Sequence, residues 1–169
     1  RRQRQMCIRD RSPDSEYLAF VRFDESEVPG YSMQMYGEGL YPGYYEYKYP
    51  KAGQKNSKVS VHSYSVVTKD TKEMKVPVEG DFYIPRITFT QNPDQLAIMT
   101  LNRQQNVFNM YYANPKSGVF RLILREENKC YVDSDWLTSI QFLNNGFTYV
   151  SEQDGYSHIL SLIHISEPT

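Results

Sequence analysis

The sequence predicts an all-β chain: antiparallel meander sheets forming a partial β-propeller, about two blades plus the start of a third. Three observations lead there. Aromatic residues make up 14% of the chain, with 15 Tyr against a single Trp, in a background that is only 40% hydrophobic; that balance suits half-buried strands. No stretch carries the sustained period of an amphipathic helix of normal length. A turn-then-strand pattern also recurs along the chain at blade-like spacing.

The recurrence opens at Ser12-Pro13-Asp14, a turn followed by the apolar run Tyr17-Leu18-Ala19-Phe20-Val21. Asn92-Pro93-Asp94 is followed likewise by Leu96-Ala97-Ile98-Met99, and Leu143-Asn144-Asn145-Gly146 by Phe147-Thr148-Tyr149-Val150. Pro presets φ at the second turn position, Asp and Asn tolerate tight backbone geometry, and aromatic or β-branched residues then favour an extended chain. Aligned on Asp14, Asp94 and Asn145, the spacings are 80 and 51 residues. The second is close to a propeller blade of roughly 40–50 residues. The first exceeds the second by the length of the 29-residue stretch 28–56, which lacks the blade pattern and reads as an insertion.

Within the first blade, Val59, Val61, Tyr64 and Val66 alternate with one slip at Tyr64 that a bulge would explain. Thr68-Lys69-Asp70-Thr71-Lys72 is a polar turn, and Glu73 begins an outer strand reaching Val78, its charges solvating a sheet edge. In the second blade, Val107 to Ala113 is a strand, Asn114-Pro115-Lys116-Ser117-Gly118 a hairpin turn, and Val119 to Leu124 the partner strand. Each blade buries a face against the next, so an incomplete propeller leaves apolar surface and strand edges open. The isolated piece is expected to be marginally stable or to aggregate.

At 169 residues the chain suits one domain and is short for two. Its formal charge of −1 argues against nucleic acid as a partner. No apolar run approaches the roughly 18 residues that span a bilayer, and the basic start is not followed by the apolar stretch of a signal peptide. Cys7 and Cys130 are too few for a disulfide framework or a zinc site.

The two ends back-translate into related DNA. Residues 160–169 can be encoded by CTG TCT CTT ATA CAC ATC TCC GAG CCC ACG, and Met6-Cys7-Ile8-Arg9-Asp10 by ATG TGT ATA AGA GAC. With a following AG, the second string lies within the reverse complement of the start of the first. Residues 1–11 and 160–169 therefore read as transposon-type adapters translated in frame, and 12–159 as the propeller segment. On that reading the basic N-terminal arm is not a binding patch.

Three strings in 12–159 carry a family resemblance. Phe20-Val21-Arg22-Phe23-Asp24-Glu25-Ser26-Glu27-Val28-Pro29 follows the first turn, Tyr49-Pro50-Lys51-Ala52-Gly53-Gln54-Lys55-Asn56 closes the insertion, and Ser151-Glu152-Gln153-Asp154-Gly155-Tyr156-Ser157-His158 ends the segment. In this order they resemble the propeller of bacterial dipeptidyl peptidase IV, in the prolyl oligopeptidase superfamily. The resemblance implies a parent serine exopeptidase that releases N-terminal dipeptides with Pro or Ala in second place. An α/β-hydrolase domain would supply its Ser-Asp-His triad. It implies peptide substrates, a homodimer, a periplasmic or cell-envelope location and no cofactor. The family's Glu-Glu pair, which holds the substrate ammonium, would precede the Ser-Pro-Asp turn, and the hydrolase would follow Ile159. The chain contains neither that pair in its motif nor a Gly-x-Ser-x-Gly elbow, so the segment is expected to be non-catalytic. A stand-alone propeller that binds protein or ligand is the alternative.

Local candidates read modestly. Glu126-Glu127 imitates the ammonium pair but lacks its motif, and reads as a solvated turn. Asp133, Asp135 and Glu152 lack a calcium-loop pattern. His62, His158 and Cys130 form no recognisable metal set, and His158 reads as a contact between strands. Trp136 reads as a packing anchor near a blade junction. The insertion is more informative: Tyr31, Tyr36, Tyr41, Tyr44, Tyr45 and Tyr47 lie among prolines and glycines. Tyr offers contact area with a hydroxyl that stays satisfied at an interface. In the family resembled, an extension at this place contributes to dimer contacts, which makes these six residues a candidate dimer arm; a loop packed on its own propeller is the alternative.

Overall fold

The computed structural model describes residues 8–133, 137 and 139–163, and for Ile163 the backbone alone. Strands form four antiparallel groups, and the described residues contain no α-helix. The first sheet has the order β1-β2-β5-β6, with β1 at Arg9–Arg11, β2 at Tyr17–Asp24, β5 at Lys58–Ser65 and β6 at Thr71–Met74. Its numbering skips a separate hairpin, β3 (Gly30–Met35) with β4 (Gly43–Lys48), which occupies the insertion. The second sheet is a four-strand meander, β7 (Phe82–Phe89), β8 (Leu96–Asn102), β9 (Val107–Ala113) and β10 (Phe120–Glu127). The third has β11 (Gln141–Leu143), β12 (Gly146–Ser151) and β13 (His158–Ile163). This is a partial propeller of two four-stranded blades and most of a third. The chain divides into two compact units, one of Arg1–Arg22 with Ser60–Thr169 and the other of Phe23–Val59.

The turns opening at Ser12, Asn92 and Asn114 are held by the polar residues that mark them in the sequence. The Ser12 hydroxyl accepts from Tyr17 N at 2.9 Å and Asp14 Oδ1 accepts from Glu16 N at 3.1 Å. The Ser12 hydroxyl bonded to it, then that peptide N–H, hold the Asp14 carboxyl below its ordinary range. In the second blade Asn92 Oδ1 accepts from Asp94 N at 3.0 Å, and Asn114 Oδ1 accepts from both Lys116 N and Ser117 N at 2.9 Å. These are Asx turns, in which a short side chain stands in for the next main-chain acceptor.

Burial follows from stacking. All of Leu96 to Leu101 in β8 is buried, so both faces of that strand are covered. Met99 and Leu101 join a core cluster with Phe108, Met110 and Leu124 of the same sheet, and Phe147 and Tyr149 of the third. The period of two turns Leu96, Ile98 and Thr100 to the other face, where they are buried as well. A strand covered on both faces reads as an unbroken apolar run, which is how Leu96 to Met99 stands in the sequence.

Polar bonds register the first two sheets. Ser63 Oγ donates to Pro115 O at 2.9 Å in a buried position, and Lys72 Nζ donates to Lys116 O and Ser117 O at 3.0 and 2.7 Å. Lys116 Nζ in turn meets Asp94 at 3.1 Å and lies over the Tyr17 ring. The hairpin turn of the second blade is thereby clasped by the edge of the first.

Several details differ from the sequence reading. The pairing of β5 with β6 runs from Val61↔Met74 to Tyr64↔Thr71 without a register shift, so there is no bulge at Tyr64. The buried set is Val61, Ser63 and Ser65, and Val66 is exposed; serines fill two of these three buried places, which hides the period from a hydrophobicity scan. The outer strand β6 ends at Met74, well short of Val78. Strand β7 has no counterpart in the sequence reading, because Pro85 interrupts it; the register shift between Tyr83 and Arg86 absorbs the missing donor. Strands β1 and β13 draw on residues set aside as adapter-encoded. An edge strand is joined largely through main-chain bonds, which many sequences satisfy.

Phe108 is fully buried at the centre of the core cluster. Phe108→Ala is expected to cost about 3–5 kcal/mol, a large share of the roughly 5–15 kcal/mol typical of a domain. Urea unfolding followed by circular dichroism is expected to show the midpoint displaced to much lower denaturant.

Candidate functional site

The insertion folds as a ribbon with two unlike faces. Pairing runs Tyr31↔Tyr47, Met33↔Tyr45 and Met35↔Gly43, so Tyr31, Met33, Met35, Tyr45 and Tyr47 share one face. The rings of Tyr31 and Tyr47 lie 5.7 Å apart at 73°, and those of Tyr45 and Tyr47 5.6 Å apart. Tyr49 extends the row, with its ring 5.8 Å from Tyr31, and Lys51 Nζ sits 5.2 Å from the Tyr31 centroid. The opposite face carries Ser32, Gln34, Tyr44 and Glu46.

The six candidate tyrosines therefore separate by position. Tyr31 and Tyr47 are half-buried within the row, and Tyr45 joins it while more than half exposed. Tyr36 and Tyr41 lie beyond the strand ends, at the tip, 81% and 89% exposed, with Leu40 98% exposed between them. Tyr44 is 71% exposed on the other face.

The stem of the ribbon is closed by charge. Glu27 Oε2 accepts from Lys55 and Oε1 from Lys58, each at 2.8 Å. The Lys55 bond, then the Lys58 bond, hold the Glu27 carboxyl down to about 2, and Lys58 is raised in return. Lys48 Nζ donates to Val28 O at 2.9 Å, and Tyr49 N to Pro29 O at 3.0 Å. Val28 is buried at this point.

The local candidates resolve as follows. Glu126 is not in a solvated turn: it lies in β10, 5% exposed, and accepts from Ser151 Oγ at 2.9 Å. Burial raises its carboxyl above the usual range. Glu127 is exposed and bonded to Arg125. Consecutive strand residues point to opposite faces, so these two carboxylates do not converge on one ammonium. The sequence missed this because the strand runs on to Glu127 through a register shift between Leu122 and Leu124. His158 Nε2 meets Asp154 Oδ2 at 3.2 Å, an exposed local pair rather than a bridge between strands. Gly155, in the same turn, stands at φ +93, where an L side chain is strained.

Ser60 Oγ lies 3.0 Å from His62 Nε2, and Phe20 stacks on the His62 ring at 5.3 Å. The pair sits on a regular strand, not a strained turn, and among the described residues no carboxylate is bonded to the imidazole; it lacks the parts of a nucleophilic site. Asp133, Glu152 and Cys130 are exposed, and Asp135 and Trp136 lie outside the described residues. Among the described residues no three His, Cys, Asp or Glu gather as a metal set, and no helix is long and apolar enough to cross a membrane.

Blades of antiparallel meander, the first interrupted in sequence by an aromatic hairpin, define a propeller segment. The dipeptidyl peptidase IV N-terminal region matches residues 11–167, and the chain belongs to that family. Among solved structures, Porphyromonas gingivalis dipeptidyl peptidase 4 is 54% identical with a TM-score of 0.85, covering 93% of this chain and 23% of its own. A putative dipeptidyl aminopeptidase IV of Bacteroides ovatus is 26% identical with a TM-score of 0.77, covering 92% and 22%. A dipeptidyl peptidase 4 of Arthroderma otae is 30% identical over 88% of this chain and 21% of its own length. The mouse prolyl endopeptidase FAP is 28% identical over the same shares. The chain thus spans about a fifth of the length of these curated relatives.

Because the folded carboxyl of Glu27 lies below its ordinary 4.5, its contribution is complete above about 4.5 and is lost as pH falls through about 2. Both partners are exposed, so salt weakens the clamp. Glu27→Gln is expected to open the stem, seen as faster trypsin cleavage after Lys48, Lys51 and Lys55 in low salt. Unchanged cleavage would remove the clamp from the account.

Proposed function

We propose that this chain is the non-catalytic propeller part of a serine exopeptidase that releases N-terminal dipeptides with Pro or Ala in second place. The observation that carries the reading is the match in fold and sequence to the P. gingivalis enzyme along 93% of this chain. The physical role of such a segment is scaffolding. Its sheets hold loops and an arm in place, while the nucleophile and the ammonium-binding acids come from other parts of the parent. Two features of this chain support the division: it has no Gly-x-Ser-x-Gly elbow, and its adjacent glutamates diverge. The bacterial resemblance supports a periplasmic or cell-envelope location for the parent.

The ribbon is, on this reading, the arm of a homodimer. Tyr36, Leu40, Tyr41 and Tyr44 supply its contact surface, and the row of Tyr31, Tyr45 and Tyr47 stiffens it. Rigid aromatic residues bury large area at small entropic cost, which suits such a contact. Residues 1–11 and 160–169 are assigned to translated adapter, on their complementary codons; reading the source DNA across both junctions tests this.

The 169-residue chain is expected to leave a Gly-Pro chromogenic substrate uncleaved, while the complete parent enzyme cleaves it. Turnover by the chain alone, or none by the parent, would overturn the peptidase reading. Deleting residues 31–47 from the parent is expected to convert dimers to monomers in sedimentation, and an unchanged mass would refute the arm.

A further inference from the structure

The second and third sheets meet at one end through a carboxyl group. Glu126 is the next-to-last residue of β10, and Ser151, the last residue of β12, is 2% exposed. Glu126 Oε1 takes the Ser151 hydroxyl at 2.9 Å, whereas Oε2 is buried and has no hydrogen-bond partner among the described residues. On its own strand, the flanking Arg125 and Glu127 are exposed and bond to each other. From the third sheet, Tyr149 and Glu152 face it: burial and then the Glu126 charge raise the Tyr149 phenol, and the Glu152 carboxylate disfavours charge on Glu126 while the Glu152 peptide N–H favours it. Across β12 and β13, Ser151 stands opposite His158, which is turned to Asp154. Among the described residues no lysine or arginine pairs with Glu126.

A carboxylate with one oxygen dry and unbonded is costly, whereas a neutral carboxyl is tolerated there. We propose that Glu126 is a proton-operated latch between the second and third sheets, neutral when the sheets are closed and ionised when they part. Burial raises the folded group above its ordinary 4.5, so the closed contact is complete below 4.5 and weakens as pH rises through the raised value. The latch is independent of the peptidase reading, since it uses this chain alone.

Hydrogen exchange of the full 169-residue chain, followed by mass spectrometry from about pH 5 to about pH 8 and corrected for intrinsic rates, tests it. Protection of residues 141–151 is expected to fall with pH, by about tenfold for each unit by which burial raises the carboxyl. Residues 58–74 are expected to show no such slope. Glu126→Gln, neutral throughout, is expected to flatten the profile, and Ser151→Ala to steepen it. Parallel profiles for wild type and Glu126→Gln would overturn the latch. So would a Ser151→Ala profile no steeper than wild type, a Glu126→Gln chain that does not fold, or wild-type residues 141–151 unprotected at the lowest pH.

Discussion

Coverage of both faces of β8 is the constraint on which the rest of this structure depends. A β-sheet with two apolar faces has no stable place in water by itself, and Leu96 to Leu101 are buried throughout. The second blade is therefore held between its neighbours, with Met99 and Leu101 in the cluster that includes Phe147 and Tyr149. Once those strands stack, their ends come into register, and polar groups such as Ser63 and Arg86 find carbonyl partners on the next element. Blade stacking thus sets the geometry first, and the hydrogen bonds refine it.

The insertion obeys a different logic. It lies in its own compact unit and has no buried layer comparable to that of the blades. A two-stranded ribbon is marginal in water, and this one is supported by a row of tyrosine rings on one face and a doubly held glutamate at its stem. Beyond those supports lie Tyr36, Leu40 and Tyr41, all exposed at the tip. The same residue type thus does two jobs, separated by pairing register.

Much of the fold was legible because its signals are local. Hairpin turns at 114–118 and 144–145, the β9 boundaries and the break of the first blade at 28–56 follow from residues adjacent in the chain. Strand β7 escaped because Pro85 argues against a strand, and only a bulge against β8 accommodates it. The expected slip at Tyr64 failed for the converse reason: Ser63 and Ser65 carry the buried face, one of them bonded to a turn some fifty residues away. The tyrosines of the insertion were legible as a group, but their division into row, tip and far face needed the Tyr31↔Tyr47 register.

What the sequence by itself determined is the all-β meander, the blade period, the break of the first blade at 28–56 and the family, since turn chemistry and alternation act over a few residues. What only the tertiary structure decided is which polar residues leave water. Glu126 and Glu127 are neighbours of one kind in the chain, yet one is enclosed against Ser151 and the other is solvated beside Arg125. The pleat turns successive side chains to opposite faces, and the packing of the third sheet against the second decides which face is dry.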